Sequence, residues 1–132
     1  MKESRIQLQI LHYLKKSGYA TMQELSRYKE LGCVLPAVKG VYGRVNTMAV
    51  PVVVRGRIKA YRKNPYIFLG MPDIMGFRTS EKDDGFVTPF AIECKQGDEV
   101  LRTAQGIFKD YAVRAGYIYI LARDLDDVTG VL

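Results

Sequence analysis

The chain has few of the residues that usually build zinc, redox or histidine-based sites. Its 132 residues include one histidine, two cysteines and no tryptophan. Cys33 and Cys94 are 61 positions apart and form no Cys-x-x-Cys pattern, so neither a zinc site nor a disulfide framework is indicated. His12 lies among apolar residues of a helix-like segment, which favours a structural role for it over a catalytic one.

Long apolar runs are also missing. No run approaches the ~20 residues that a membrane span requires. The segment 1–10 carries charged residues and glutamine where a secretory signal would have an apolar core, so we expect an intracellular protein without membrane contact. A chain of 132 residues predicts a single domain, 1–132, that can bury one core.

Acidic residues are absent from the segment 32–72. The same segment holds seven basic residues: Lys39, Arg44, Arg55, Arg57, Lys59, Arg62 and Lys63. The net charge of the whole chain is +6. A positive charge that is concentrated in this way favours an acidic partner such as nucleic acid.

Within this segment, basic and apolar residues alternate. Arg55, Arg57 and Lys59 are separated by Gly56 and Ile58, so in a β-strand one face would be basic. Such a face can follow a phosphate backbone. It is equally well explained as a solvated edge strand whose charge prevents aggregation, and the pattern alone leaves both interpretations open.

Two helices are predicted at the start of the chain. The segment Glu3–Lys16 has Ile6, Ile10 and Leu14 at helical spacing, with lysines in its last turn. Thr21 to Glu24 form a capping-box pattern, which predicts a shorter helix from there to about Leu31.

The rest of the chain predicts four strands, a helix and a final strand. Alternation and β-branched residues predict the first four strands, of which the first two form a long hairpin. Gly97 and Asp98 introduce a helix, and the apolar run after it predicts a strand parallel to the one before the helix. The predicted ranges are strands 41–48, 50–61, 73–77 and 86–95, helix 99–115 and strand 117–122.

Two acidic residues and a lysine are spaced so that they can meet at one edge of a β-sheet. Asp73 follows Pro72, and Glu93 lies 20 positions later, two residues before Lys95. In a strand, Glu93 and Lys95 project from one face about 7 Å apart. If Asp73 begins a neighbouring strand, two hard oxygen ligands and a cation meet at one edge of a sheet. This is the chemistry that holds Mg²⁺ and steers a water molecule at a phosphodiester.

These segments resemble the PD-(D/E)XK nuclease superfamily and, within it, the VRR-NUC family of virus-type replication and repair nucleases. Pro72-Asp73 and Glu93-Cys94-Lys95 match the two halves of the motif. The family resemblance also rests on Glu3 with Ile6-Gln7, on Arg44-Val45-Asn46, and on Gln105 in the helix after the lysine strand. The resemblance implies an α/β fold with a restriction-endonuclease-like core, a mixed β-sheet flanked by helices, and a helical insertion around 19–39.

The resemblance also implies roles for these residues. Asp73 and Glu93 would bind a divalent cation, Mg²⁺ or Mn²⁺, with the Cys94 carbonyl as a third oxygen and Glu3 as a further ligand. Lys95 would orient or deprotonate the attacking water, and Gln105 would position water or a ligand carboxylate. The residues expected to contact DNA are Arg44, Asn46, Arg55, Arg57 and Lys59.

The implied activity is metal-dependent DNA cleavage. Small members of the family resemble Holliday-junction resolvases, so we expect branched DNA as substrate, a homodimer, and a cytoplasmic location in a bacterium or a phage-infected cell.

The sequence also suggests two alternative functions. The segment 10–27 also resembles the first two helices of a winged-helix domain, but Pro36, Gly40 and Gly43 disfavour the recognition helix that should follow. The second alternative is a nuclease-like module that binds DNA without cutting it. Such a binder has no need of an aspartate, a glutamate and a lysine at one edge of the sheet.

Overall fold

A computed structural model describes residues 2–45, 50–62, 69–80 and 85–132 of the chain. The described helices and strands, in chain order, are α1 Glu3–Lys16, β1 Tyr19–Ala20, α2 Met22–Glu30, β2 Gly40–Arg44, β3 Val50–Val54, β4 Arg57–Arg62, β5 Ile74–Thr79, β6 Val87–Cys94, α3 Thr103–Arg114, β7 Ile118–Ala122 and α4 Asp126–Thr129. None of the helices in these ranges is long and apolar enough to cross a membrane.

Five strands form a mixed sheet in the order β1-β2-β5-β6-β7. The two outer pairs, β1 with β2 and β6 with β7, are parallel. The central pairings of β5 with β2 and with β6 are antiparallel. The predicted α/β class with a mixed sheet flanked by helices is therefore confirmed, as is the parallel pairing of the last strand with the Glu93 strand.

The core lies between α1 and the central strands. Ile6, Ile10 and Leu14 are fully buried and join one cluster with the β6 residues Phe90 and Ile92. The helix has the predicted bounds because its apolar residues recur every four positions and so share one face. At the C-terminal end, α4 adds Val128 and Leu132 to the same cluster; this short helix was not predicted.

The segment 19–39 contains a strand as well as the predicted helix. The Thr21 hydroxyl accepts a hydrogen bond from the Glu24 amide at 3.2 Å, as the capping pattern predicts. None of the residues of α2 is buried, whereas Tyr19 and Ala20 form the edge strand β1 beside β2. No helix occurs in residues 32–39, so the recognition helix of a winged-helix domain is absent there.

The prediction of one strand over 50–61 is wrong. This segment is a hairpin of β3 and β4 that forms a separate two-stranded sheet. Arg55 and Gly56 make the two-residue turn, with φ angles of 52° and 73°, as type I′ hairpin turns require. Arg55 therefore does not share a strand face with Arg57 and Lys59, and the continuous basic stripe is not formed.

The predicted hairpin between strands 41–48 and 50–61 is also wrong for the described residues. β2 pairs with β1 and β5 instead, and its Val41 and Tyr42 are buried inside the five-stranded sheet. Alternation alone does not distinguish an inner strand from a strand of an exposed hairpin, which is why the pairing was mispredicted. Asn46 and the end of the predicted first strand lie outside the described residues.

The helix predicted to begin at Glu99 begins at Thr103. Arg123 of the β7–α4 connection donates hydrogen bonds to the carbonyls of Gly97 and Glu99, the latter at 2.8 Å. These bonds hold a turn before the helix, in which the Glu99 amide donates to the Gln96 carbonyl at 3.2 Å and Gly97 has a φ of 53°. A distant side chain therefore stabilises a turn where the sequence predicts the first helical residues.

Candidate functional site

Asp73 and Glu93 come together at the end of the β5–β6 pair. Ile74 pairs with Ile92 in the antiparallel register, so the residue that precedes β5 lies across from Glu93. A carboxylate oxygen of Asp73, Oδ2, accepts a hydrogen bond from the Cys94 amide at 2.8 Å. Buried Pro72 fixes the chain just before this point. The sequence spacing predicts this convergence.

Glu93 and Lys95 are both buried. Each of their side chains is 5% exposed, and Lys95 Nζ lies 4.0 Å from Glu93 Oε1. An ion pair of this kind on the surface would contribute little to stability. Burying the two charges, by contrast, costs on the order of several kcal/mol of solvation free energy for each ion. Their burial therefore separates this pair from an ordinary surface ion pair.

Gln105 of α3 connects that helix to the site. Its Nε2 donates to Glu93 Oε1 at 3.0 Å, and its Oε1 accepts from the Arg102 amide at 2.9 Å. The second bond satisfies one of the free amides at the helix start and fixes the orientation of the side-chain amide. We call Asp73, Glu93, Lys95 and Gln105 the Glu93 cluster.

The Glu93 cluster contains two carboxylates and one ammonium group, so negative charge is in excess. Burial, followed by the neighbouring Asp73 charge, raises the pKa of Glu93 to about 7, against the lowering effect of Lys95. The second carboxylate oxygen, Glu93 Oε2, is buried and has no hydrogen-bond partner among the described residues. A buried acceptor without a partner is uncommon in folded proteins and needs an explanation.

Glu3 faces the same cluster from the first turn of α1. Its pKa is raised by burial and then by a side-chain hydrogen bond with Glu99, while Lys95 lowers it and Asp73 raises it further. The predicted proximity of Glu3 to the site is thus present. Glu99 was not predicted as a neighbour, because it was interpreted as the first residue of a helix.

Tyr119 of β7 is a second neighbour that the sequence did not indicate. It pairs in register with Ala91 of β6, and its pKa is raised to about 12, first by burial and then by the charges of Glu93 and Asp73. In the sequence it lies within an apolar run that predicts a buried strand, and nothing in that pattern distinguishes a site residue from a core residue.

Cys94 contributes its backbone and not its thiol. Its side chain belongs to the hydrophobic core cluster, on the opposite side of the strand from Glu93 and Lys95, as alternation predicts. Burial, followed by the Asp73 and Glu93 charges, raises the pKa of the thiol to about 12. The thiol is therefore protonated at neutral pH and unsuited to metal binding.

Arg44 lies at the same end of the sheet. It pairs with Ile74, next to Asp73, and its Nη2 donates to Gln7 Oε1 of α1 at 3.2 Å. The following residue, Val45, donates its amide to the Asp73 carbonyl at 2.9 Å. By contrast, no hydrogen bond or ion pair in the described chain joins the β3–β4 hairpin to the Glu93 cluster.

The donor set of the cluster suits a hard cation only if it is completed by water or by the backbone. Within the described residues, no group of three or more His, Cys, Asp or Glu side chains is arranged to hold a metal ion. Mg²⁺ is typically held by one or two carboxylates and keeps several waters. Asp73 and Glu93, with the buried partnerless oxygen of Glu93, fit that simpler requirement.

The geometry of the Glu93 cluster agrees with the convergence expected from the Pro-Asp and Glu-x-Lys spacing. A sheet edge with two carboxylates and a lysine is a local arrangement that unrelated folds can carry. Comparisons of this chain with models of known protein families, with curated proteins and with solved structures find no match.

Proposed function

We propose that the protein is a Mg²⁺-dependent DNA endonuclease of the VRR-NUC type, with a PD-(D/E)XK core, that hydrolyses phosphodiester bonds in branched DNA. The observation that carries this proposal is the buried Glu93–Lys95 pair, which lies beside Asp73 and is bonded to Gln105. A core without a catalytic function gains nothing from two buried charges, because apolar residues of similar volume are often at least as stable.

The excess of carboxylates over ammonium groups, with partly buried Asp73 beside the buried Glu93–Lys95 pair, supports a divalent cation as a further partner. Asp73 and Glu93 would hold Mg²⁺ or Mn²⁺, with the Cys94 carbonyl as a further oxygen and Glu3 acting directly or through water. A cation in this position would polarise a phosphate oxygen and lower the pKa of a bound water. It would also supply the partner that Glu93 Oε2 lacks.

Lys95, Gln105 and Arg44 would have the remaining roles in catalysis and DNA binding. Lys95 Nζ offsets negative charge that develops on the phosphate, and the same ammonium can hydrogen-bond to an attacking water. Gln105 holds the Glu93 carboxylate in one orientation, since both ends of its amide are already bonded. Arg44, which lies beside Asp73 at the exposed end of β2, is well positioned to contact a DNA phosphate.

The test is a panel of labelled DNAs, comprising a four-way junction, a flap and a linear duplex, incubated with Mg²⁺ or with EDTA. We expect cleavage with Mg²⁺ only. Asp73→Asn, Glu93→Gln and Lys95→Ala should each abolish it while circular dichroism and DNA binding are kept. Asp110→Asn, an exposed change on α3, is the matched control and should cut normally.

Two results would overturn the proposal. One is a folded Asp73, Glu93 or Lys95 variant with the wild-type cleavage rate. The other is tight junction binding without cleavage under any divalent cation, which would identify the protein as a non-catalytic DNA-binding module.

A further inference from the structure

The β3–β4 hairpin differs from every other strand pair in the described chain. It forms a sheet of its own, and its two strands pack chiefly against each other. All seven residues from Val53 to Lys59 are exposed. Two strands gain little stability from their own pairing, so a bound partner would stabilise this hairpin.

The two faces of the hairpin near its tip have different chemistry. Val53 pairs with Ile58, and Val54 pairs with Arg57, and residues that are paired across strands share a face. One face therefore presents two aliphatic side chains that are 58% and 57% exposed. The other face presents Arg57 and Val54, which is 44% exposed, and Arg55 occupies the turn.

Lys59 adds a third cation close to the tip. The pairing skips it, because Val52 pairs with Ala60 and Val53 with Ile58, so Lys59 is the additional residue of a β-bulge. Bulges commonly redirect a side chain, and Lys59 is exposed here. Three cations thus lie within four residues of the exposed Val53–Ile58 pair, in the turn, on the opposite face and at the bulge, and no acidic residue occurs anywhere in 32–72.

We infer that the β3–β4 hairpin is a DNA-binding arm that recognises the branch point of its substrate, with Val53 and Ile58 contacting unstacked base faces and Arg55, Arg57 and Lys59 contacting the flanking phosphates. This deepens the proposed function and rests on it for the identity of the partner.

The chemistry of a branch point matches both parts of the arm. Base pairs that end at a junction expose an apolar face that continuous duplex hides, and aliphatic side chains of DNA-bending proteins insert at such steps. The phosphates beside that face require cations. A two-stranded ribbon is also narrow enough to enter a DNA groove. A continuous duplex offers the phosphates but not the base face, so the aliphatic pair should contribute to selectivity and the cations to affinity.

The experiment measures the binding of the full chain to a four-way junction and to a duplex of equal length, in EDTA to prevent cleavage. Val53→Thr with Ile58→Thr keeps the β-branched shape and removes the apolar surface. We expect the junction-over-duplex preference to fall about tenfold, the effect of removing one well-buried aliphatic group. Arg57→Gln with Lys59→Gln should weaken binding to both DNAs equally. Val34→Thr and Val100→Thr, at sites 92% and 77% exposed, are the controls.

A second measurement does not depend on any variant. 2-Aminopurine placed at the branch point should gain fluorescence when the wild-type protein binds, because the base is unstacked. An unchanged junction preference in the threonine variant, or no gain in fluorescence, would overturn the inference. So would a loss of self-association in that variant, which would identify the arm as an interface between copies.

Cleavage is scored separately in Mg²⁺. A protein that binds junctions through the arm but never cuts refutes the proposed function and leaves this inference standing. If the wild-type protein cuts DNA but the threonine variant keeps the junction preference, the proposed function is supported and this inference is refuted.

Discussion

Glu93 carries a charge that the folded protein stabilises poorly when no metal is present. Its pKa is about 7 in the folded state against a reference value of 4.5, because burial and Asp73 both oppose ionisation. Between these two values the folded state keeps a proton that the unfolded chain has released. The stabilising contribution of the Glu93 proton to the free energy of unfolding is therefore complete below pH 4.5 and is lost as the pH rises through 7.

We expect metal-free protein to lose about 3 kcal/mol of stability over this pH range, as an upper bound. Urea unfolding in EDTA at several pH values between 4 and 8 measures the loss. Glu93→Gln should flatten the dependence, since that side chain has no proton to release. If Mg²⁺ binds the cluster, it should restore stability at pH 8 in wild type but not in Glu93→Gln. A flat wild-type profile would contradict this account of Glu93.

Gly70 allows the loop before Asp73 to pack against the start of α3. Its φ is 78°, and a Cβ at this position would overlap the backbone of Ala104 and Gln105. Gly70→Ala should therefore cost roughly 1–3 kcal/mol through strain and displacement. It should also reduce cleavage, because the strain falls on the elements that carry Asp73 and Gln105.

Gly106 provides the matched control for this prediction. It lies in α3 next to Gln105, and a Cβ there meets open space. Gly106→Ala should stabilise the helix by up to about 1 kcal/mol and leave cleavage unchanged. Thermal melts of both variants decide the matter, and equal effects at the two positions would show that the close approach at Gly70 is unimportant.

At the scale of elements, the hairpin should contribute to DNA binding mainly through charge. Replacing Arg55, Arg57 and Lys59 together by Ser should weaken binding with little dependence on sequence. It should also flatten the slope of log affinity against log salt by up to about three, one for each phosphate that is no longer neutralised. Cleavage at saturating enzyme should largely recover. A fluorescence titration across several salt concentrations measures the slope, and an unchanged slope would show that the hairpin does not contact DNA.

The elements that sequence predicts well are those whose own pattern decides their structure. α1 has three buried residues at helical spacing, and α2 begins at Thr21 with the hydrogen bond that its cap motif indicates. The errors lie where distant contacts decide. The start of α3 depends on Arg123, and no local pattern near residue 99 reveals that side chain.

The hairpin turn has a weak local signal. Gly56 suits a left-handed turn position, but Arg55 is not among the residues that favour the first position of such a turn, and the alternation of basic residues across it favours a single long strand. The site is also predictable only in part, where the local pattern of the strand decides it. Strand alternation gives the shared face of Glu93 and Lys95, whereas the approach of Glu99 and Tyr119 depends on packing between elements that are far apart in the sequence.

At the scale of the molecule, the charge distribution is asymmetric. Around the Glu93 cluster, carboxylates meet from α1, from the residue before β5, from β6 and from the segment before α3. The described part of the acid-free segment, with the β3–β4 hairpin, is basic. In the proposed function, the basic segment would attract DNA phosphates and the acidic site would attract the cation.

The last prediction concerns the number of subunits. The described chain has one Glu93 cluster and hence, in the proposed function, one cutting site, whereas resolving a four-way junction requires two cuts on strands related by a two-fold axis. We therefore expect a homodimer in solution that nicks a junction at two symmetric positions. Light scattering gives the mass, and denaturing gels of end-labelled strands give the cut positions. A mixture of wild type and Glu93→Gln should nick one strand per junction in the mixed dimer. A DNA-bound monomer, or cuts confined to one arm of a flap, would instead identify a structure-selective monomeric nuclease.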